Sequence, residues 1–304
     1  CFLMAGDGGI WASTSTVDVP QALSVTPAVA NLGGSPPNFA FAAWHKNRAW
    51  AAGVVTNPSR LYYCASLKPN TDWTTAGDAG SIDIDPDDGD RITALLPVDK
   101  FDDDRFILMT TAQGTIKKCR LSDFSHPRPS GIIAIGLDDG DRLIETKLTD
   151  GKQEIVIGTR DGMANRFDEG EVRAMGRTAG GVRGVELSEG DAVIGMVAAT
   201  AGVHLLVVTE KGFGKRTALD EYRKTHRGGK GVINVKISEK TGKVVALRRV
   251  TDEDQLMVAT SKGIVIRVPA AEIRETGRAA QGVHVIRLEE GDDVSDVTVI
   301  QPEE

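Results

Sequence analysis

The sequence predicts an all-β protein whose four-stranded blades are arranged around an axis, and three observations carry that expectation. Gly131, Gly181, Gly231 and Gly282 recur at intervals of 50, 50 and 51 residues, each opening an alternating apolar stretch: GIIAIGL, GVRGVEL, GVINVKI and GVHVIRL. A second series, Gly114, Gly162, Gly212 and Gly263, turns a hairpin between an apolar strand and a basic one, as in ILMTTAQGTIKKCRL and LMVATSKGIVIRV. Composition agrees, because 40% apolar residues with only 5% aromatics suit strands filled by Val, Ile, Leu and Ala. A period near 50 built from short strands means blades, each burying its face against the next.

In chain order, the first stretch differs from the rest. All four tryptophans (Trp11, Trp44, Trp50, Trp73) and eight of the twelve prolines precede residue 98, whereas the first glutamate is Glu145. FAFAAW, NRAWAAGVV and RLYYCAS read as strands joined by short turns, an up-and-down meander. The beat still crosses the seam: Gly80 and Gly89 stand 51 residues before Gly131 and Gly140, and Gly8 stands 106 before Gly114. Six units of about 50 residues then account for the 304 of the chain. The expected organisation is one closed toroid over residues 1–304, with two blades in 1–97 and four in 98–304.

In the later copies a Gly-Asp turn or its equivalent opens a strand: GDRLIETKL, GDAVIGMVA, GKVVALRRV and GDDVSDVTV. The hairpin follows, then a long polar connection such as SDFSHPRPS or DEYRKTHRGGK, and the Gly-led strand. Such a connection implies a strand that leaves its hairpin and crosses elsewhere. Because the chain begins on the second strand of a unit (FLMAGDGG) and ends on the first strand of one, the two terminal strands are expected to pair and close the ring, removing an open edge.

A formal charge of −7 excludes a protein that attracts polyanions over its whole surface and leaves room for a segregated basic face. Cys1, Cys64 and Cys119 have neither metal-type spacing nor a disulfide framework, which fits a reducing cytoplasm. The lack of a signal peptide and of a Met before Cys1 suggests an excised or trimmed piece. AVIGMVAATAGVHLLVV (192–208) is apolar but contains Thr200, Gly202 and His204 and lies in register with paired strands, so no membrane span is expected. DIDPDDGD departs from a calcium loop, with Gly89 one position late and Ala94 where the closing glutamate belongs. GFGKRT lacks P-loop spacing, and the five scattered histidines offer no Ser-His-acid constellation. No catalytic residue, metal or cofactor is expected.

From about Ile92 to Ile300, TEKGFGKRTALDEYRKTHRGGKGVINV, ILMTTAQGTIKKCRLSDFSHPRPSGIIAI and VATSKGIVIRVPAAEIRETGRAAQGV resemble the C-terminal domain of the DNA gyrase A subunit, the DNA-wrapping β-pinwheel of a bacterial type IIA topoisomerase. The resemblance implies a β-propeller or β-pinwheel whose outer strands are exchanged between neighbouring blades and whose basic rim carries duplex DNA. It implies as partners the gyrase B subunit together with the remainder of the A subunit, where the strand-cleaving chemistry of that isomerase resides. The family's first blade carries a signature close to QRRGGKG, and the nearest match here, THRGGKG (Thr225–Gly231), departs from it at two positions in a late blade. Residues 1–90 resemble instead the blades of phage virion propellers; a join that keeps the blade phase is expected of a recombinant chimera, with a natural fusion as the alternative. Only five Lys or Arg in the first 98 residues lead to the expectation of an interrupted rim and weakened wrapping. An inert structural or engineered scaffold is the competing expectation.

Wrapping needs cations along a curved path, set against phosphates rather than bases. Between Gly212 and Gly231 stand Lys215, Arg216, Arg223, Lys224, Arg227 and Lys230; between Gly114 and Gly131 stand Lys117, Lys118, Arg120 and Arg128. Gly228 and Gly229 allow a close backbone approach to a phosphate. In the two remaining equivalent segments Arg166, Arg173 and Arg177, and Arg267, Arg274 and Arg278, are offset by nearby acids. Tyr222 aligns with Phe124 and Ile273, so it is expected to pack rather than to react.

Overall fold

In a computed structural model the chain is described over residues 92–98, 100–126 and 131–300, together with the backbone of six strands between residues 2 and 83. The acidic turn after Asp83 and the site candidate Arg128 lie outside the described residues. Contacts divide the chain into two compact units: Cys1–Asp103 with Leu121–Leu137 and Arg177–Ala179, and Asp104–Arg120 with Asp138–Gly176 and Gly180–Glu304.

The first unit contains β1 (Phe2–Gly6), β2 (Gly9–Ser13), β3 (Phe41–His45), β4 (Arg48–Ala52), β5 (Arg60–Tyr63), β6 (Gly80–Asp83) and β7 (Ile92–Pro97). Strands β3-β4-β5-β6 form the antiparallel meander that the short turns predict, with His45 opposite Arg48 at the first of them. A three-stranded sheet runs β2-β1-β7.

The second unit is built from hairpins β8 (Phe106–Thr111) and β9 (Thr115–Arg120), then β10 (Leu143–Thr149), and β11 (Glu154–Thr159) with β12 (Met163–Asp168), β13 (Val182–Arg183) and β14 (Val193–Ala199). It continues with β15 (His204–Thr209), β16 (Phe213–Ala218), β17 (Val232–Ile233), β18 (Val244–Val250), β19 (Gln255–Thr260), β20 (Val265–Pro269), β21 (Val283–His284) and β22 (Val294–Ile300). Four blades result, ordered β10-β8-β9-β13, β14-β11-β12-β17, β18-β15-β16-β21 and β20-β19-β22. The apolar strand of each hairpin lies inside its sheet, which is why β8, β11 and β15 read as near-continuous buried runs rather than alternating ones.

The crossing strand is the distinctive step. Each Gly-led pair β13, β17 and β21 leaves its own repeat and pairs with the basic strand of the preceding one, β9, β12 and β16 respectively. Glycine is required at the head of that strand for two reasons. Gly231 has φ +73°, and a Cβ there would stand 2.2 Å from the Ala164 carbonyl oxygen; at Gly282 (φ +86°) it would stand 2.3 Å from that of Gly214.

One expectation is corrected. The strand opened by the Gly-Asp turn pairs with the preceding hairpin, not the following one: β10 with β8, β14 with β11, β18 with β15 and β22 with β19. The turn itself enforces this phase, because Asp141, Asp191 and Asp292 each accept a hydrogen bond at Oδ1 from the backbone N–H of Gln113, Asp161 and Lys262 in the previous hairpin turn. The C-terminal strand β22 therefore completes the blade of β19, while β1 takes β2 and β7 as partners. The repeats form four blades, and the six-bladed ring closed by its terminal strands is not what the sheets show.

Three buried clusters lie between consecutive blades. Leu108, Ile155, Phe167 and Met196 belong to one, Leu205, Tyr222 and Leu247 to the next, and Leu206, Leu256 and Ile273 to the third. Residues 192–208 form β14 and β15 around a turn, and no helix among the described residues is long and apolar enough to cross a membrane.

Candidate nucleic-acid interface

After its hairpin each repeat makes one 3₁₀ turn: Leu121–Phe124, Glu169–Glu171, Leu219–Glu221 and Ala270–Glu272. The residue that anchors the exit is buried in every copy (Phe124, Val172, Tyr222 and Ile273), so Tyr222 packs as its alignment predicts. Its hydroxyl lies 2.5 Å from Asn234 Oδ1, and burial pushes its pKa up. In the last three copies the residue that follows the anchor is exposed, and Arg173, Arg223 and Arg274 occupy this one phase, where the first copy has the half-buried Ser125. None of the three forms an ion pair among the described residues.

The cations on the strands have a different fate. Lys118, Arg166 and Arg216 stand at one phase, and each reaches across to the 3₁₀ turn of the next repeat. Lys118 Nζ donates to the Glu169 carbonyl at 3.1 Å, and Arg166 donates to those of Leu219 and Tyr222 at 2.7 and 2.8 Å. Arg216 Nε donates to the carbonyl of Ile273 at 2.8 Å and its guanidinium pairs with Asp252. The backbone repeats the joint, since Met175, Thr225 and Thr276 donate their N–H groups to the carbonyls of Lys118, Arg166 and Arg216. These cations, Lys118 and Arg216 buried and Arg166 half-buried, tie each repeat to the turn of the next.

Lys117 and Lys215 are fully buried. The three N–H bonds of Lys215 are spent on Thr217 Oγ1 and the carbonyls of Gly277 and Arg278. Burial first, and then the Arg278 charge, bring its pKa down to about 8. Of the remaining candidates, Arg120, Arg223, Lys224 and Lys230 are exposed. Lys224 is shared by Asp168 and Glu154, at 2.5 and 3.1 Å, and those two carboxylates hold its pKa up. Lys230 is 73% exposed, its Nζ 3.7 Å from Glu186. Arg227 is half-buried against backbone carbonyls. The Gly228 N–H donates to the Gly184 carbonyl, and the Gly229 carbonyl accepts from Glu186 N–H, so the GGKG segment is stitched to the preceding crossing strand.

Of the acids beside Arg173 and Arg274, Glu171 binds Arg227 and His226, and Glu275 lies 3.2 Å from His204. Arg183, Lys236 and Arg287 are further exposed cations on or just beyond the crossing strands, unsignalled because each stands as a lone cation within its Gly-led stretch. No group of three or more potential metal ligands occurs among the described residues. A cavity of about 610 Å³ beside Phe213 sets Lys240 and Arg287 against Glu239 and Glu289 and has no single sign of charge.

A family model described as the DNA gyrase C-terminal domain, β-propeller, matches residues 105–150, 153–200, 204–251 and 254–301, one match per repeat. The DNA gyrase A subunit from Halalkalibacterium halodurans is 54% identical over 213 residues, 70% of this chain and 26% of its own length. The chain thus spans about a quarter of the curated relatives it matches. Among solved structures, the C-terminal domain of DNA topoisomerase IV aligns with a TM-score of 0.69 and 27% identity over 81% of this chain and 77% of that one. The DNA gyrase A C-terminal domain aligns with a TM-score of 0.67 over 98% of both chains, a likeness of fold at 22% identity. A phage-type origin for residues 1–90, and with it the chimera, draws no support from these likenesses.

Proposed function

Because the chain belongs to the DNA gyrase C-terminal β-propeller family, we propose that it binds duplex DNA through the phosphate backbone, along a path marked by Arg173, Arg223 and Arg274. The observation that carries this reading is the recurrence of those three exposed guanidinium groups, free of ion pairs among the described residues, at intervals of 50 and 51 residues. Three successive blades of the four then offer one such cation each, and a curved row of cations without base-reading groups suits sequence-independent wrapping. Lys224, Lys230 and Arg120 flank the row; Lys117, Lys118, Lys215 and Arg216 support it from within. The domain is non-catalytic, and its proposed partners are the gyrase B subunit with the remainder of the A subunit, in a type IIA topoisomerase of the cytoplasm.

The test is binding of two unrelated linear duplexes across a salt series. Replacing Arg173, Arg223 and Arg274 together by Gln should weaken both complexes equally and make the log K against log salt slope shallower by about 2–3, at roughly 0.9 per phosphate contact. An unchanged slope overturns the reading and favours an inert scaffold. Relaxation of circular DNA by a nicking-closing enzyme then measures wrapping itself: trapped superhelical turns as strong as those of an intact gyrase domain would refute the expectation of weakened wrapping.

A further inference from the structure

Two half-buried arginines form a second periodic feature of the same rim. Arg227 donates from Nε to the Glu171 carbonyl at 3.1 Å and from one terminal nitrogen to the Arg183 carbonyl at 3.1 Å, while its own backbone N–H donates to Glu171 Oε2 at 3.1 Å. Fifty-one residues later Arg278 repeats the arrangement, donating from Nε to the Glu221 carbonyl at 2.9 Å and from a terminal nitrogen to the Ile233 carbonyl. Each guanidinium therefore spans two backbone points of the preceding repeat, the end of its 3₁₀ turn and its crossing strand. The backbone runs the same way, since the Gly228 N–H donates to the Gly184 carbonyl and the Glu186 N–H to the Gly229 carbonyl.

We propose that Arg227 and Arg278 are positioning residues of the DNA interface, Arg227 holding in place Arg173 and Arg183 of the repeat before it and Arg278 holding Arg223. Arg227 clamps the backbone at Glu171, two residues from Arg173, and at Arg183 itself; Arg278 clamps it at Glu221, two residues from Arg223. The rim is a ladder in which the cations of one blade are set by the arginine of the next. A planar guanidinium can bridge two carbonyls in fixed geometry, whereas an ammonium on a flexible stem cannot. Clamping the backbone in advance removes part of the ordering cost that DNA binding would otherwise meet.

The proposal rests on the DNA reading above, and a double-mutant cycle separates the two. Arg227→Gln should weaken duplex binding about 3- to 10-fold, the equivalent of the ordering of one or two side chains. In an Arg173→Gln/Arg183→Gln background the same substitution should cost less than about twofold and leave the salt slope unchanged, because the groups it positions are gone. Arg227→Lys, which keeps the charge, should behave like Arg227→Gln. Full additivity, or rescue by Lys, would make Arg227 a direct phosphate ligand and overturn the proposal. Amide exchange at Gly228 and Glu186 in the DNA-free protein should accelerate in Arg227→Gln; unmoved rates would sink the ladder whatever happens to DNA. An unchanged salt slope in Arg173→Gln/Arg183→Gln would sink the DNA reading instead.

Discussion

Gly231→Ala tests strand exchange most directly. The residue sits at φ +73°, and the added Cβ would stand 2.2 Å from the Ala164 oxygen, 2.5 Å from its carbonyl carbon and 2.9 Å from Asn165 N. All three are backbone atoms of the strand that receives the crossing segment, so no side chain can turn away and the two strands must separate. Forcing a side chain into the left-handed region costs about 1–2 kcal/mol. Separation then lengthens the bonds from Asn234 and Val235 N–H to the Gly162 carbonyl, now 2.8 and 3.2 Å, at about 1 kcal/mol each. The expected loss is about 3–4 kcal/mol, and at about 2–4 °C per kcal/mol for a unit of this size the midpoint should fall by about 10 °C. Gly190→Ala is the control: φ is +76°, yet nothing lies within 4 Å of the new methyl, so only the backbone cost of about 1–2 kcal/mol applies. Thermal unfolding followed by far-ultraviolet circular dichroism compares the two, with amide exchange at Asn234 and Val235 as the local readout. Equal midpoints for both variants, or unaltered exchange at those amides, would refute the argument that close approach dictates this glycine.

The other expectations are smaller. Tyr222→Phe leaves Asn234 Oδ1 without the Tyr222 hydroxyl, while Asn234 Nδ2 already has no partner; denaturant unfolding should show a loss of about 1–3 kcal/mol. In the folded protein Tyr222 should resist alkaline titration, read by tyrosinate absorbance, until unfolding, since burial pushes its pKa up. Lys215 has its pKa brought down to about 8 from 10.5, so between those values the unfolded chain binds the proton that the folded chain has released. Its contribution to stability therefore rises with pH across that window, by at most about 1.4 kcal/mol per pH unit. Lys215→Met should flatten this rise in urea melts taken at successive pH values, and a rise that persists would exclude Lys215 as its source.

The period and the hairpins were legible in the chain alone, because glycine leaves a mark wherever a backbone must adopt positive φ or admit another backbone, and the crossing of a strand out of its repeat was legible in the long polar connection that precedes it. Gly212 and Gly231 meet both conditions, with φ +76° and +73° and carbonyl oxygens 2.5 and 2.2 Å from where a Cβ would stand. The hairpin to which each Gly-Asp strand belongs was not legible, since an alternating strand fits a neighbour on either side; Asp141, Asp191 and Asp292 decide it by reaching back about 30 residues to the previous turn. The division of labour among the cations was equally hidden. Recurrence of Lys or Arg at one phase signals a common environment, and the sequence is silent on whether that environment is solvent or the carbonyls of the next repeat's turn. Arg216 and Arg223 lie seven residues apart in one basic run, yet only folding brings Ile273 within 2.8 Å of the first and leaves the second exposed. Periodicity is a local property written into the chain, whereas burial depends on which distant segment arrives, and that is settled only when the blades exchange their strands.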